Sequence, residues 1–333
     1  MSDANVTPTP QIGPGGPAPG PVLSGAAVSV RNLSRRFGDV EALVNVSFEV
    51  APGELFGFIG PDGAGKTTLF RTLVTLLVPD EGKAEVLGLD VVRDLWTLRS
   101  RVGYMPGRFS LYPDLSALEN LTFFASVFGT TVAQGASIIE PIWRHLAPFA
   151  ARRAGALSGG MKQKLALCCA LVHAPDILIL DEPTTGVDAV SRREFWDLLT
   201  RLRSGGLTIV VSTPYMDEAI RCDRVALLQK GRILLTDTPR AICAAYPCAL
   251  FAVHSRQRLA LLRVLRGLPH AAAVWPFGET VHYTDDRTGL SPDAVAADVV
   301  AAAGLAGIGD VRVSRIEAGI EDAFMWHMQR DAA

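Results

Sequence analysis

Apolar residues recur along this chain in short, bounded runs, each the length of a strand or arranged as one stripe of a helix. Leu55-Phe56-Gly57-Phe58-Ile59, entered from Glu54, reads as a buried strand, and Thr68 to Leu73 reads as a helix shortly behind it. A second buried strand, Ile177-Leu178-Ile179-Leu180, runs directly into Asp181-Glu182-Pro183. Phe195, Leu198, Leu199 and Leu202 fall at i, i+3, i+4 and i+7, a core-facing helical stripe that stops before Gly205-Gly206. Ser116-Ala117-Leu118-Glu119 and Ser191-Arg192-Arg193-Glu194 both have the S-x-x-E form, in which serine and glutamate satisfy free N–H groups, so a helix start is predicted at each. Pro52-Gly53 and the Asp80-Glu81-Gly82 turn after Pro79 separate compact elements.

Behind Pro239 the pattern changes. Alternating segments at 250–253, 279–283 and 311–316, with a helix start at Ser291-Pro292, predict a small α/β appendage with a packing or regulatory role. The longest apolar runs are strand-sized and fall well short of the ~20 residues that span a bilayer, so a role at a membrane requires a partner.

Composition narrows the field further. A chain of 333 residues can hold one large domain and a smaller one. Its net charge of -2, with Lys and Arg dispersed, gives no electrostatic footprint for nucleic acid. Five scattered cysteines, two of them adjacent at Cys168 and Cys169, form no disulfide framework and suit a reducing cytosol. Six isolated histidines have no metal-ligand spacing. Residues 1–27 are rich in Pro, Gly and small residues, have no cationic start or apolar core segment, and are expected to be a disordered tail rather than a signal peptide.

The chemistry lies between these landmarks. Gly60-Pro61-Asp62-Gly63-Ala64-Gly65-Lys66-Thr67-Thr68 fits G-x-x-x-x-G-K-[ST] between the predicted strand and helix. Glycines there turn successive N–H groups onto phosphate oxygens, Lys66 neutralises charge, and the Thr67 hydroxyl can ligate magnesium. Asp181 and Glu182 end a buried strand, where two acids are costly unless paired or metal-bound. Asp181 suits Mg²⁺ and Glu182 suits polarising the water that attacks a γ-phosphate, although alone the pair also reads as an ordinary strand exit. Leu157-Ser158-Gly159-Gly160-Met161 precedes a helical run from Lys162 to Val172. Ser158 can cap it while the glycines leave amides open to an anion; alone, the stretch also reads as a flexible, well-capped turn.

The phosphate loop, LSGGM, the apolar strand ending in Asp-Glu-Pro, and Gly186-Val187-Asp188, in that order and spacing, resemble the ATP-binding subunit of an ABC transporter. The resemblance covers about residues 28 to 240. Met161-Lys162-Gln163-Lys164, Glu194-Phe195-Trp196 and Tyr215-Met216-Asp217-Glu218-Ala219 are similar to ATPases of multidrug-type exporters, and Ile320-Glu321-Asp322-Ala323-Phe324 is similar to the last helix of their accessory domain. This implies a P-loop NTPase ABC cassette, with a RecA-like core, an antiparallel β subdomain and a helical subdomain, over 28–245. A C-terminal α/β domain would occupy 246–333. It also implies ATP and Mg²⁺ as cofactors, a membrane permease and a second cassette as partners, and a place on the inner face of the cell membrane. By the same resemblance Phe37 stacks on adenine, Gly60 to Thr68 hold the phosphates, Thr67 and Asp181 hold Mg²⁺, and Glu182 is catalytic. Ser158, Gly159 and Gly160 contact the γ-phosphate of the opposite subunit, and Asp188 sits in the loop that crosses the dimer interface.

Two positions depart from the family pattern. Gly107 follows Tyr104-Met105-Pro106 where a γ-phosphate-sensing Gln is expected, and Pro214 follows Ser212-Thr213 where a γ-phosphate-bonding His is expected. Arg108 is spaced to substitute for the first. Pro214 is expected in the first turn of a helix capped by Thr213. Asp62, where Asn is common, adds negative charge near phosphates. These departures open a second reading, a degenerate or regulatory subunit of a heterodimeric system. A non-transport cassette acting on ribosomes or DNA is the third, and the single cassette without a basic arm speaks against it.

Overall fold

A computed structural model describes residues 25–107 and 111–331. The tail expectation for 1–27 therefore lies mostly outside the described residues, as does the role considered for Arg108. Along the chain run β1 (Val28–Phe37), β2 (Val40–Val50), β3 (Leu55–Ile59), α1 (Lys66–Leu73), β4 (Glu81–Val86), β5 (Leu89–Asp90), α2 (Leu95–Arg99) and β6 (Val102–Met105). Next come α3 (Ala117–Val127), α4 (Ala136–Trp143), α5 (Gly159–Leu171), β7 (Ile177–Asp181), α6 (Ala189–Ser204) and β8 (Thr208–Thr213). A 3-10 turn (Met216–Arg221) leads to β9 (Arg224–Gln229), β10 (Arg232–Asp237), α7 (Pro239–Ala244) and β11 (Ala249–His254). The chain closes with α8 (Arg258–Arg266), β12 (Ala271–Phe277), β13 (Thr280–Asp285), α9 (Pro292–Leu305), β14 (Arg312–Ile316) and α10 (Ile320–Asp331). No described helix is long and apolar enough to cross a membrane.

The contacts form two compact units. The first comprises residues up to Arg35, Ser47–Glu54 and Thr67–Val210. In it β1 pairs antiparallel with β4, and β4 with β5, while β6 runs parallel to β7 in a register that sets Val102 against Ile177. The apolar half of α5, from Leu165 to Leu171, is buried, and α3, α4, β6 and α6 pack around this helix. The capping box predicted at Ser116 is present in both directions: Ser116 Oγ accepts from the Glu119 amide and Glu119 Oε2 accepts from the Ser116 amide.

The second predicted capping box is not formed. Helix α6 begins at Ala189, and Asp188 is its cap, accepting from the amides of Val190 (3.1 Å) and Ser191 (3.0 Å). Ser191 is thus already inside the first turn. A carboxylate next to a helix N-terminus gains from the dipole as well as from its two bonds, which favours the earlier start. Helix α5 likewise begins at Gly159 rather than Lys162, with Ser158 as the cap, as expected.

The second unit comprises Arg36–Val46, Leu55–Lys66 and Val211 onward. Here β3 runs parallel to β9, and β9 turns back antiparallel into β10. Further along, an antiparallel sheet of order β12-β13-β11-β14 carries α8 and α9 on a core that includes Phe251, Leu261, Tyr283 and Val299. Each segment expected to form the appendage appears, and Ser291 caps α9 by accepting from the Ala294 amide. Helix α10 is tied to this sheet by Asp322. Its Oδ1 lies 2.6 Å from His282 Nδ1 and accepts from Trp275 Nε1 at 3.3 Å; its Oδ2 accepts from the Gly319 amide at 2.9 Å. Burial alone would raise the Asp322 carboxyl, but these bonds hold it below its ordinary value. Asp322→Ala leaves three groups without their acceptor, so thermal denaturation is expected to show a loss of about 2 kcal/mol.

Candidate functional site

In the second unit, every residue of β3 is buried, and the strand delivers Gly60 to a position where no side chain fits. A Cβ at Gly60 would stand 2.2 Å from the Leu228 carbonyl oxygen, and one at Gly65 would stand 2.4 Å from that of Ala42. Gly63 and Gly65 also adopt positive φ, +78° and +106°, which other residues reach only under strain. The loop is pinned from behind: the Gly231 amide donates to Ala64 O at 2.9 Å and the Val44 amide to Gly231 O at 2.8 Å. Lys66 is 3% exposed, and its Nζ donates to Gly60 O (2.8 Å) and Pro61 O (3.0 Å). The loop therefore wraps its own ammonium, leaving Pro61, Asp62 and Gly63 exposed at the rim. A tight N–H-lined turn around a buried cation fits a polyphosphate. Phe37, at the end of β1 and in the same unit, is 45% exposed, an open ring rather than a core residue.

In the first unit, Thr67 and Thr68 lie in the opening turn of α1, and β7 is buried to its last residue, Asp181, at 2% exposure. Glu182 then takes φ +50°, a left-handed backbone that costs a residue with a Cβ roughly 1–2 kcal/mol. Its Oε2 accepts from Thr185 Oγ1 at 3.4 Å, and its carbonyl accepts the Thr185 amide at 3.2 Å. The pairing of β6 with β7 sets Met105 against Leu180 and brings Gly107 to the acid pair. A Cβ on Gly107 would stand 3.0 Å from Asp181 O and 3.7 Å from Glu182 Cβ. A side chain at 107 therefore requires the Asp181 backbone to give by a few tenths of an ångström.

The same unit brings the LSGG stretch to the start of α6. Ser158 Oγ accepts from the Met161 amide at 3.3 Å. A Cβ on Gly160 would meet Ser191 Oγ at 2.5 Å, and one on Gly159 would lie 3.7 Å from Gly186 O. The capped N-termini of α5 and α6, each of them anion-attracting, are thus held side by side, and Lys164 pairs with Glu194 at 2.6 Å to lock them. The amides of Ser191 and Val190 hold the Asp188 carboxyl below its ordinary value. The sequence showed the Ser158 cap but neither the Asp188 cap nor the contact between the two helix starts, which depends on the small size of Gly160.

Pro214 lies in the second unit, and its surroundings correct one expectation. The helical turn after it is a 3-10 turn starting at Met216, so Pro214 precedes the turn and Thr213 is not its cap. Thr213 Oγ1 instead accepts the Tyr215 amide at 3.0 Å and donates to Oε2 of the buried Glu218. Sequence reasoning named Glu218 only within an exporter-type stretch and gave it no role. Its signal was an acid five residues beyond a threonine at the end of an apolar strand.

The family model described as ABC transporter matches residues 43–185. Among proteins of similar sequence, the probable multidrug ABC transporter ATP-binding protein YbhF of Escherichia coli (strain K12) is 38% identical over 312 residues, covering 91% of this chain and 52% of that protein. The chain thus spans about half the length of that relative. The Nod factor export ATP-binding protein I of Burkholderia pseudomallei (strain 1710b) is 35% identical over 308 residues, 91% of this chain and 97% of its own. Its counterpart in Paraburkholderia xenovorans (strain LB400) is 40% identical over 223 residues, 66% of this chain and 73% of that protein. Among solved structures, the ATP-binding subunit of an ABC transporter superposes with a TM-score of 0.60 at 27% identity, covering 66% of this chain and 93% of that one. A dimeric cassette in a post-hydrolysis state bound to ADP and Pi does so with a TM-score of 0.57 at 26% identity, covering 63% and 98%.

Proposed function

The chain belongs to the ATP-binding subunits of ABC transporters, and from that premise we propose that it energises export through a separate membrane permease by binding and hydrolysing ATP with Mg²⁺. The observation that carries this is the buried Lys66 ammonium held inside a loop in which Gly60 and Gly65 leave no room for a Cβ. Gly60 to Thr68 receive the phosphates and Phe37 receives the adenine. Thr67 and Asp181 are the Mg²⁺ ligands, both hard oxygen donors, and the metal supplies charge neutralisation at the phosphates. Glu182 polarises the attacking water. Ser158, Gly159 and Gly160 offer the N-terminus of α5 to the γ-phosphate held by a second cassette, and Asp188 lies at the crossing between the two. Purified protein that releases no phosphate from MgATP, alone or with a second cassette, would overturn this reading.

The permease has a candidate seat in the first unit. A cavity of about 610 Å³ is lined mainly by apolar side chains, including Trp96, Tyr104, Met105, Phe124, Val127 and Phe128. Trp96 is 77% exposed there, a large ring left in water at the mouth. Docked there, the protein would lie on the inner face of the cell membrane through its partner. Trp96→Glu is expected to abolish co-isolation of the permease from membranes and to leave ATP turnover of the isolated protein within about twofold, since Trp96 lies in α2, outside the elements proposed to bind nucleotide. Equal recovery of the permease with both proteins would rule out this seat.

Residues 246–333 are proposed as an accessory domain outside the ATP-binding machinery. The support is a core of their own, with Phe251, Val253, Leu261, Tyr283 and Val299 all buried among residues of that segment. A chain ending at 245 is expected to bind ATP within about threefold of the full-length affinity, measured by equilibrium titration with a fluorescent ATP analogue. Total loss of binding by a folded truncation contradicts the division.

A further inference from the structure

A cavity of about 650 Å³ opens in the second unit, with walls supplied by α7, the segment behind it, β11 and β14. Cys243, Tyr246, Leu250 and Ile316 give it an apolar surface, and Arg240 and Arg315 bring two guanidinium groups to its lining. Neither guanidinium group makes an ion pair or hydrogen bond among the described residues. Elsewhere in this segment, arginines are engaged: Arg287 bridges Asp285 (2.9 Å) and Asp298 (2.7 Å), and Arg258 donates to Gly278 O. Glu317 is the one carboxylate in the lining, so the cavity carries an excess of positive charge. Burial raises the Cys243 thiol, as does the Asp322 carboxylate, which leaves that wall neutral. The volume falls in the range of about 300–1,000 Å³ that small-molecule sites occupy.

We propose that this cavity is an effector site for a small organic anion, with an apolar body against Cys243, Leu250 and Ile316 and a carboxylate or sulfonate between Arg240 and Arg315. The walls lead towards the proposed ATPase elements. Tyr246 donates or accepts a 2.7 Å bond with Thr284 Oγ1, and its ring lies 5.5 Å from that of Trp326 on α10. Helices α7 and α10 both pack on the 3-10 turn Met216–Arg221. That turn buries Glu218, the hydrogen-bond partner of Thr213 immediately before Pro214. An anion that fixes α7 thereby biases the end of β8, and this coupling rests on the ATPase reading above, whereas the binding itself does not.

The test titrates full-length protein with 1-anilinonaphthalene-8-sulfonate, followed by fluorescence, and displaces the probe with octanoate or octan-1-ol. A saturable component displaced by octanoate and not by the neutral alcohol is expected. It should weaken at least about tenfold in the Arg240→Gln/Arg315→Gln double variant, because two charge-assisted bonds are lost. It should persist in Trp96→Ala, which alters the cavity of the first unit instead. Circular dichroism of the double variant is expected to match wild type, which separates loss of binding from loss of fold. No octanoate-sensitive component, displacement by octan-1-ol as well, or full retention in the double variant overturns the site. Octanoate is also expected to change ATP turnover about twofold or more in wild type and not in the double variant. Binding without that change overturns the coupling. Absence of any turnover in wild type counts against the ATPase reading and leaves the binding result standing.

Discussion

Glu182→Gln lowers ATP turnover by about a hundred- to a thousandfold and leaves ATP affinity close to wild type. The amide keeps the size of the carboxylate and loses the charge that draws a proton from the attacking water, a contribution typically worth 10²–10⁴-fold. The surrounding geometry supports a change confined to chemistry. Glu182 is half-buried behind a strand that is buried to its end, and its carbonyl and Oε2 both bond Thr185, so the backbone that places the side chain does not depend on the lost charge. The positive φ at this residue points the same way, because a strained backbone is retained where the side-chain position matters. Steady-state phosphate release and equilibrium titration with ATP separate the two quantities. Unchanged turnover in Glu182→Gln would remove Glu182 from the catalytic role, and a large loss of affinity would make it a binding residue.

The phosphate loop was legible in the sequence because its glycines and lysine fall at a fixed spacing between a strand and a helix that are themselves strongly patterned. The strand ending in Asp181 was legible for the same reason. What the sequence hid was tertiary. The S-x-x-E form at Ser191 was read as a cap, but Asp188 lies three residues earlier and its carboxylate takes the amides first. The contact of Gly160 with Ser191 joins two helices that are separate in the sequence, and no pattern within either one announces it. Strand β12 escaped notice because it contains Pro276, which argues against a strand; as an edge strand of its sheet it has a free side where proline's missing N–H is tolerated. Helix α8 was passed over between two strands that drew attention. The meaning of Gly107 also needed the fold, since only the pairing of β6 with β7 shows that the glycine stands against Asp181.

Pro214→His is expected to raise ATP turnover of a homodimer by about a hundredfold, the converse of losing one preorganised donor to a developing charge. Position 214 restores the donor more easily than position 107. Histidine regains a backbone N–H and a ring nitrogen, and Thr213 already holds the neighbouring Tyr215 amide and Glu218, so the segment around 214 is fixed without the proline. Gly107→Gln, by contrast, must displace the Asp181 backbone, and any gain is offset by movement of the proposed Mg²⁺ ligand. Asp62, exposed at the rim of the phosphate loop, adds a repulsive charge that neither change removes. If wild type is slow and Pro214→His is fast, this chain's own site is a weak one that works best beside a different cassette bearing the missing Gln and His. In that pair its intact Ser158, Gly159 and Gly160 would complete the competent site, while ATP on Lys66 keeps the two closed. The measurement is phosphate release by wild type, Glu182→Gln and Pro214→His under the same saturating MgATP. Vigorous wild-type turnover that Glu182→Gln abolishes and Pro214→His does not raise would show that both departures are compensated within this chain, and the heterodimer reading would fall with them.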